Sequence, residues 1–361
     1  MNLTKNQVEK KVNQLCKDLG IIKIEELLAG GVVSDVYSAK LRINKEKDKN
    51  IVVKYTKEKI PSKNIFSTLD LKDSFSEIQK VHNLDINIQK CIEINTPKII
   101  RHFADESITV MENFTDSGYK LLQTRILDEE ISQDIGIQLG TILAKLRIEL
   151  KEKGSEFNQI ENSYNQFHER FLELKVLLYN SRMDIFNQIE EDFLNSETNF
   201  LVWTDGDQKN FAVDEKGEVM IFDLGRSIIC DPDFMLANLF GHLGLFYIGG
   251  FLDDKFMITN GIKAYLETYR KENHSYIIDE PKFVNYFTAS LLHRGMAMRW
   301  IDPRIASKVG EDSLKYACMH YGDVIFSKEN RVSSIDKALD VLGEITKLAK
   351  NGKYKRPKLQ K

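Results

Sequence analysis

Two carboxylates and an amide lie close together in the sequence: Asp205, Asn210 after four intervening residues, and Asp223 beyond a short apolar run. The segment reads Val202-Trp203-Thr204-Asp205-Gly206-Asp207-Gln208-Lys209-Asn210-Phe211, then Ile221-Phe222-Asp223-Leu224-Gly225-Arg226. In phosphoryl transfer a first carboxylate accepts or orients the proton of an attacking hydroxyl. An amide and a second carboxylate offer hard oxygen ligands to magnesium on nucleotide phosphates. The bland alternative is that Asp205 and Asp207 are loop carboxylates, Asp207-Gln208 caps a turn and Asp223 ends a strand. Asp-x4-Asn also arises by chance in polar loops, so the chemistry needs a nucleotide-gripping part elsewhere.

The N-terminal half offers one. Gly30-Gly31-Val32-Val33-Ser34-Asp35 sits between two strand-like runs, where a flexible turn can lay backbone amides over phosphates. Ser34 would touch a phosphate or merely bend the loop. Lys54 ends the β-branched run Ile51-Val52-Val53, placed to reach the α- and β-phosphates of ATP. A surface strand lysine is the alternative, although its flanks are too apolar for a solvated face. Glu77, on the following helix, is the natural partner for Lys54, with Asp73 and Asp85 as competitors.

The elements that must position these groups fall into two kinds. Asn6–Leu19 has helical spacing, and Ile21–Leu28, Asp35–Leu41 and Ile51–Tyr55 read as strands. Lys45–Asn50 reads as a charged turn, Leu71–Leu84 as a helix, and two further strand-like runs frame Pro97–Val110. This is a small antiparallel sheet with one inserted helix. From Ser117 onward long helices take over: Ile131–Lys151 keeps Ile135, Leu139, Ile142, Leu143 and Leu146 on one face, and Phe157–Phe193 is also helical in character. Only Asn199–Asp223 interrupts them, with short apolar runs on either side of the polar loop.

This order resembles the aminoglycoside phosphotransferase and choline kinase superfamily of small-molecule kinases. Members typically carry His-Gly-Asp-x4-Asn, then Ile-Asp, then an Asp-Pro-x-x-Asp-like stretch. This chain has Trp203-Thr204-Asp205-x4-Asn210, Phe222-Asp223 and Asp231-Pro232-Asp233-Phe234, and its Leu139-Gly140-Thr141-Ile142-Leu143-Ala144-Lys145-Leu146 looks like the family's Leu-Gly-x-x-Leu-Ala-x-Leu helix. The resemblance runs from about Gly30 to Leu239. It implies an α+β, bilobal protein-kinase-like fold: a small antiparallel-sheet N-lobe over residues 1–114 and a mainly helical C-lobe over 115–361, with the active site between them. It implies Asp205 as catalytic base, Asn210 and Asp223 as Mg2+ ligands, and Lys54 with Glu77 as the nucleotide lysine and its partner. Met111-Glu112-Asn113-Phe114 would be the hinge whose backbone meets adenine, which adds Glu112 to the ATP-binding residues Gly30, Gly31 and Ser34.

Three departures stand out. The family's His-Gly brace is Trp203-Thr204, the histidine that often ends the Leu-Ala-x-Leu helix is Arg147, and the later Asp of the Asp-Pro stretch is Met235. The implied activity is ATP- and Mg-dependent transfer of a γ-phosphoryl group to a hydroxyl of a small molecule: an amino sugar, aminoglycoside, sugar or amino alcohol. A nucleotide-binding pseudokinase serving as an interaction module is the alternative that the lost histidine motivates. A protein kinase is another, opposed by the missing Ala-Pro-Glu-like segment and the short Asp223–Asp231 interval. His242, His293, Arg294, Arg299 and Asp302 lie where relatives bind the acceptor, or are packing and surface groups. Asp253-Asp254 and Glu311-Asp312 would suit a polycationic acceptor, or form a solvated face.

Composition excludes other classes. A formal net charge of −3 gives no global argument for a nucleic-acid or membrane partner, and the basic C-terminal tail reads as a solvated terminus. Cys16, Cys91, Cys230 and Cys318 lie far apart, without metal or redox spacing. The longest apolar stretch, Phe234–Phe251, is broken by Asn238, His242 and glycines, and the N-terminus has no signal-peptide core. The expectation is a cytoplasmic protein.

Overall fold

The computed structural model describes residues 3–30, 34–44, 47–57, 75–132, 134–157, 183–195, 200–252, 256–296, 303–327 and 331–354. The chain divides into two units, Met1–Lys120 with Met220–Arg226, and Leu121–Val219 with Ser227–Lys361.

In the first unit, α1 (Lys5–Leu15) starts at a Thr4/Gln7 capping box and buries Val8 and Val12. Strands β1 (Ile21–Gly30), β2 (Ser34–Asn44) and β3 (Lys47–Thr56) form antiparallel neighbours, followed by helix α2 (Phe75–Cys91) and strands β4 (Ile99–Phe103) and β5 (Ile108–Glu112). The sheet order is β1-β2-β3-β5-β4. Alternation explains the register: Ile22 and Ile24, then Tyr37, Ala39 and Leu41, then Ile51, Val53 and Tyr55 are buried with Ile108 and Val110 in one core with Val8 and Val12. The charged stretch expected as a turn instead extends β3. Lys47–Asn50 pairs with Lys40–Asn44, helped by an Arg42–Asp48 ion pair at 2.8 Å.

A two-residue strand β6 (Lys120–Leu121) leads into the second unit, with α3 (Leu122–Leu127), α4 (Asp134–Lys153) and α5 (Met183–Leu194). Of the helical material expected over Phe157–Phe193, residues 158–182 lie outside the described residues. Strands β7 (Phe200–Trp203), β8 (Phe211–Val213) and β9 (Val219–Ile221) follow, the last crossing the boundary between units. A further strand, β10 (Ser227–Cys230), pairs antiparallel with β7. Helices α6 (Asp233–Ile248), α7 (Phe256–Glu272), α8 (Glu280–Met296), α9 (Glu311–Ile325) and α10 (Ile335–Lys350) complete the unit.

Helix α6 is buried along its whole length, which its apolar composition on every face requires. Among the described residues no helix is long and apolar enough to cross a membrane. Cys16, Cys230 and Cys318 are buried and all four cysteines are free. Helices α4 and α7 approach each other through glycines. A Cβ on Gly140 would run into the Gly261 carbonyl, and one on Gly136 into the Met257 carbonyl. That close approach gives the glycine of the Leu-Gly-x-x-Leu-Ala-x-Leu helix its physical reason.

Gly140→Ala must therefore push α4 and α7 apart. The expected cost is roughly 1–3 kcal/mol, read as a fall of several degrees in Tm by differential scanning calorimetry. An unchanged Tm would contradict the close helix contact.

Candidate functional site

Within the first unit, Lys54 is the focus. It lies on β3 between buried Val53 and Tyr55, opposite Val36 and Thr109. Its Nζ is 3.1 Å from Asp85 Oδ2 on α2 and 2.9 Å from Asp223 Oδ1, with the lysine side chain only 12% exposed. Burial alone would lower its pKa. The neighbouring charges of Asp223 and then Asp85 more than offset this and hold the ammonium well above the ordinary lysine range. Lys54 is thus a fixed positive charge at neutral pH.

Asp85 carries a second duty. Its Oδ1 accepts from the Leu224 backbone N–H at 2.6 Å and from Gln89 Nε2 at 2.7 Å, so one buried carboxylate ties the lysine to the Asp223 turn. Asp223 has φ +61°, a left-handed conformation that aspartate adopts more readily than most residues. A Cβ on Gly225 would strike the Val81 carbonyl, so the turn sits flush on α2. Phe222 stacks on Phe114 at 5.5 Å.

The partner expected for Lys54 was Glu77. That residue belongs to α2, but its side chain lies outside the described residues, as does Asp73. Among the described residues the helix carboxylate that meets Lys54 is Asp85. A signal for it exists in the sequence: at helical spacing Asp85 shares its face with Val81 and Ile88. A carboxylate on the apolar face of a helix is buried and must be paired.

A polar chain fixes α2 to the sheet. His82 Nδ1 is 3.1 Å from Thr56 Oγ1, and Nε2 is 2.9 Å from Thr109 Oγ1. Thr109 also meets His102 Nδ1 at 3.0 Å, and Thr56 Oγ1 lies 3.4 Å from Ser34 Oγ. Ser34 opens β2 opposite Thr56, and Gly30 closes β1 opposite Asp35. Gly31, with Val32 and Val33, is outside the described residues. Glu112 ends β5: its backbone N–H donates to Lys98 O at 2.9 Å and its carboxylate accepts from Lys49 at 2.7 Å.

In the second unit, β7 delivers the chain into the loop of Asp205. Asp207 N–H donates to Asp205 O at 2.6 Å, and Asn210 N–H to Asp207 O at 2.8 Å. Asn210 Nδ2 donates to Asp205 O at 2.8 Å and faces its Oδ2 at 3.3 Å, so the structure brings these two residues together. Asp207 caps the Gln208–Asn210 turn through Lys209 N–H, and its buried carboxylate meets Arg294 Nη2 at 2.7 Å. Burial alone would raise the Asp207 pKa, but Arg294, with Lys209, holds it below the usual carboxylate value. Asn238 Nδ2 lies 3.4 Å from both Thr204 O and Gly206 O. Trp203, in the place of the family's histidine, is fully buried against Phe211.

Other expected residues resolve differently. Arg147 binds Asp233 at 2.6 Å and the Tyr265 hydroxyl at 2.8 Å, a packed ion pair where a histidine was expected. Glu311 pairs with Lys315 on an exposed helix turn. Asp253, Asp254, Arg299 and Asp302 lie outside the described residues.

For magnesium, the donors are chemically suitable. Asp223 offers a carboxylate. The Asn210 amide nitrogen is engaged by Asp205, which leaves its carbonyl oxygen as the group for a hard cation. Among the described residues no cluster of three His, Cys, Asp or Glu side chains could hold a metal alone. Each unit thus offers one oxygen donor of the kind that Mg2+ takes.

Burial, and then the charge of Lys54, pushes His82 down to about 3. Because the folded pKa lies below the unfolded value near 6.5, the unfolded chain binds the extra proton between those pH values, and stability falls as pH drops through that window. His82→Gln should show a shallower loss of stability than the parent between pH 6.5 and 4 in urea unfolding. Parallel slopes would show that His82 is not buried in neutral form.

No family model and no curated protein matches the sequence. Solved structures do. A complex of amicoumacin kinase hAmiN with AMP-PNP, Ca2+ and Ami matches at 13% identity with a TM-score of 0.53, covering 97% of this chain and 94% of that one. Macrolide 2'-phosphotransferase MphH from Brachybacterium faecium matches at 10% identity and TM-score 0.47, with coverage of 96% and 100%. A Plasmodium vivax ethanolamine kinase matches at 12% and 0.46, with coverage of 96% and 84%. The overlap with the amicoumacin kinase carries the structural comparison: this chain has the kinase-like fold of that structure.

Proposed function

We propose that this chain is a cytoplasmic ATP- and Mg-dependent phosphotransferase that moves the γ-phosphoryl group to a hydroxyl of a small molecule, with neither nucleic acid nor membrane as partner. The observation that carries the reading is the Lys54 ammonium, kept charged at 12% exposure by Asp85 and Asp223. A strand lysine held at a buried site by two carboxylates is suited to receive phosphate oxygens, and its charge is already in place before they arrive.

In this reading Lys54 orients the α- and β-phosphates, and the Gly30-Gly31 turn with Ser34 covers them. Glu112 belongs to the segment that meets adenine through its backbone. Asp85 takes the pairing role expected of Glu77. Asp205 accepts or orients the proton of the acceptor hydroxyl, and Asn210, bonded to the Asp205 carbonyl, keeps that carboxylate in place. Asn210 and Asp223 are the magnesium ligands; when bound, the ion offsets charge on the transferring group. Catalysis then rests on positioning and electrostatics, without a covalent enzyme intermediate. The acceptor is an amino sugar, aminoglycoside, sugar or amino alcohol.

The test is magnesium-dependent ATP consumption across a panel of sugars, aminoglycosides and amino alcohols. At least one acceptor should stimulate turnover, and Asp205→Ala should lower kcat by about 10²–10⁴-fold with ATP affinity nearly unchanged. Lys54→Met should instead weaken ATP binding about tenfold or more, the loss expected for a charged hydrogen bond. Full turnover in Asp205→Ala would falsify the catalytic assignment. A parent protein that binds no nucleotide would overturn the whole reading.

A further inference from the structure

The Asp205 loop lacks the histidine that braces it in the resembled family, yet it is held from two helices by other groups. Asp207 is the junction. Its backbone is hydrogen-bonded to Asp205 on one side and to Asn210 on the other, at 2.6 and 2.8 Å. Whatever fixes the Asp207 side chain therefore fixes the carbonyl and amide groups that orient both neighbours. That side chain is 4% exposed, and a carboxylate so buried needs an ionic partner. Lys209 is half-exposed at 3.5 Å and contributes little. Arg294, arriving from α8 at 2.7 Å, is the partner that matters.

The guanidinium is itself aimed. Arg294 Nε donates to His242 Nε2 at 3.1 Å, which makes His242 the acceptor and requires its Nε2 to be unprotonated. His242 stands on α6 one helical turn after Asn238, so both project from the same face of that helix. Asn238 meets the carbonyls of Thr204 and Gly206, on either side of Asp205. One rigid buried helix thus reaches the loop twice: directly through Asn238, and through His242 and Arg294 to Asp207.

We propose that Arg294, oriented by His242, is a positioning residue that sets the geometry of the Asp205 loop through Asp207. The kinetic part of this rests on the phosphotransferase reading; the structural part does not. Arg294 acts without touching the reacting atoms. It keeps Asp205 and Asn210 in register, so its loss lowers the rate of the chemical step and leaves acceptor and nucleotide binding alone.

The test has two arms. In the first, amide hydrogen exchange is followed at Asp207 and Asn210, whose N–H groups close the loop. Arg294→Gln should raise exchange there by tenfold or more, while amides of β3 keep parent protection. In the second, kcat should fall by about 100-fold in Arg294→Gln, the size of effect expected from a misplaced catalytic group, with unchanged acceptor KM. His242→Leu should show a smaller fall, and His242→Gln, which again offers an acceptor to Arg294 Nε, should recover most of it. Unchanged exchange at Asp207 and Asn210 overturns the proposal whatever the enzyme does. A raised acceptor KM at parent kcat also overturns it, because Arg294 would then bind the acceptor. A parent protein without phosphoryl transfer removes the phosphotransferase reading and leaves the exchange arm to decide. Should Arg294→Gln not fold, Asp207→Asn combined with Arg294→Gln removes the buried charge pair and is read by the same two arms.

Discussion

An ammonium group taken most of the way out of water is unfavourable by several kcal/mol, and in the first unit that burial is built around Lys54. The lysine can sit at 12% exposure only because two carboxylates, Asp85 and Asp223, come from different parts of the chain to meet it. Each requirement propagates. The strand must hold its register, which the alternation of Ile51, Val53 and Tyr55 into the core secures. Helix α2 must be fixed in height and rotation, which His82 does by bonding threonines on two strands. The Asp223 turn must lie against α2, which needs a left-handed Asp223 and a residue without a Cβ at 225. Asp85 closes the circuit by bonding both the lysine and the backbone of the turn.

The second unit uses the same physics at its departures from the resembled family. An arginine ends the Leu-Ala-x-Leu helix where a histidine was expected, and the later aspartate of the Asp-Pro stretch is Met235. The arginine has its place, because Arg147 pairs with Asp233, inside that stretch, and is packed among Tyr265, Tyr269 and Tyr276; nothing in the structure explains Met235. Next to it Asp231, fully buried, is held by Lys282 at 2.6 Å. Trp203 is buried in the core, and the polar contacts around Asp205 come from Asn238 and Arg294.

Much of this was readable from residue order. The alternating strands and the first helix follow from local pattern. The reading failed where a local rule met a distant partner. Lys47–Asn50 has the composition of a solvated turn, but its backbone found a ladder partner in Lys40–Asn44 and its charges found cross-strand mates. Strand β10 is only a short apolar stretch until β7 lies beside it. For Lys54 the spacing named Glu77, with Asp73 and Asp85 as competitors; the structure shows Asp85 bonded to it, and the side chains of the other two lie outside the described residues. Asp207 looked like a turn cap, which it is, but its second oxygen depends on an arginine 87 residues away.

Buried ion pairs are poor stabilisers when compared with well-packed apolar groups of similar size, because desolvation offsets most of the attraction. Such pairs among the described residues, at Lys54, Arg147, Lys282 and Arg294, therefore argue for geometry more than for stability. A hydrophobic replacement can fill the same volume, but it cannot fix the direction of a carboxylate or the backbone that carries it. Phosphoryl transfer asks a protein for little covalent chemistry and for much placement of charge. Groups that orient Asp223 in one unit, and Asp205 with Asn210 in the other, are where such a requirement would be met. In each unit the orienting pair joins a candidate turn to a helix, α2 by way of Asp85 and α6 by way of His242 and Arg294.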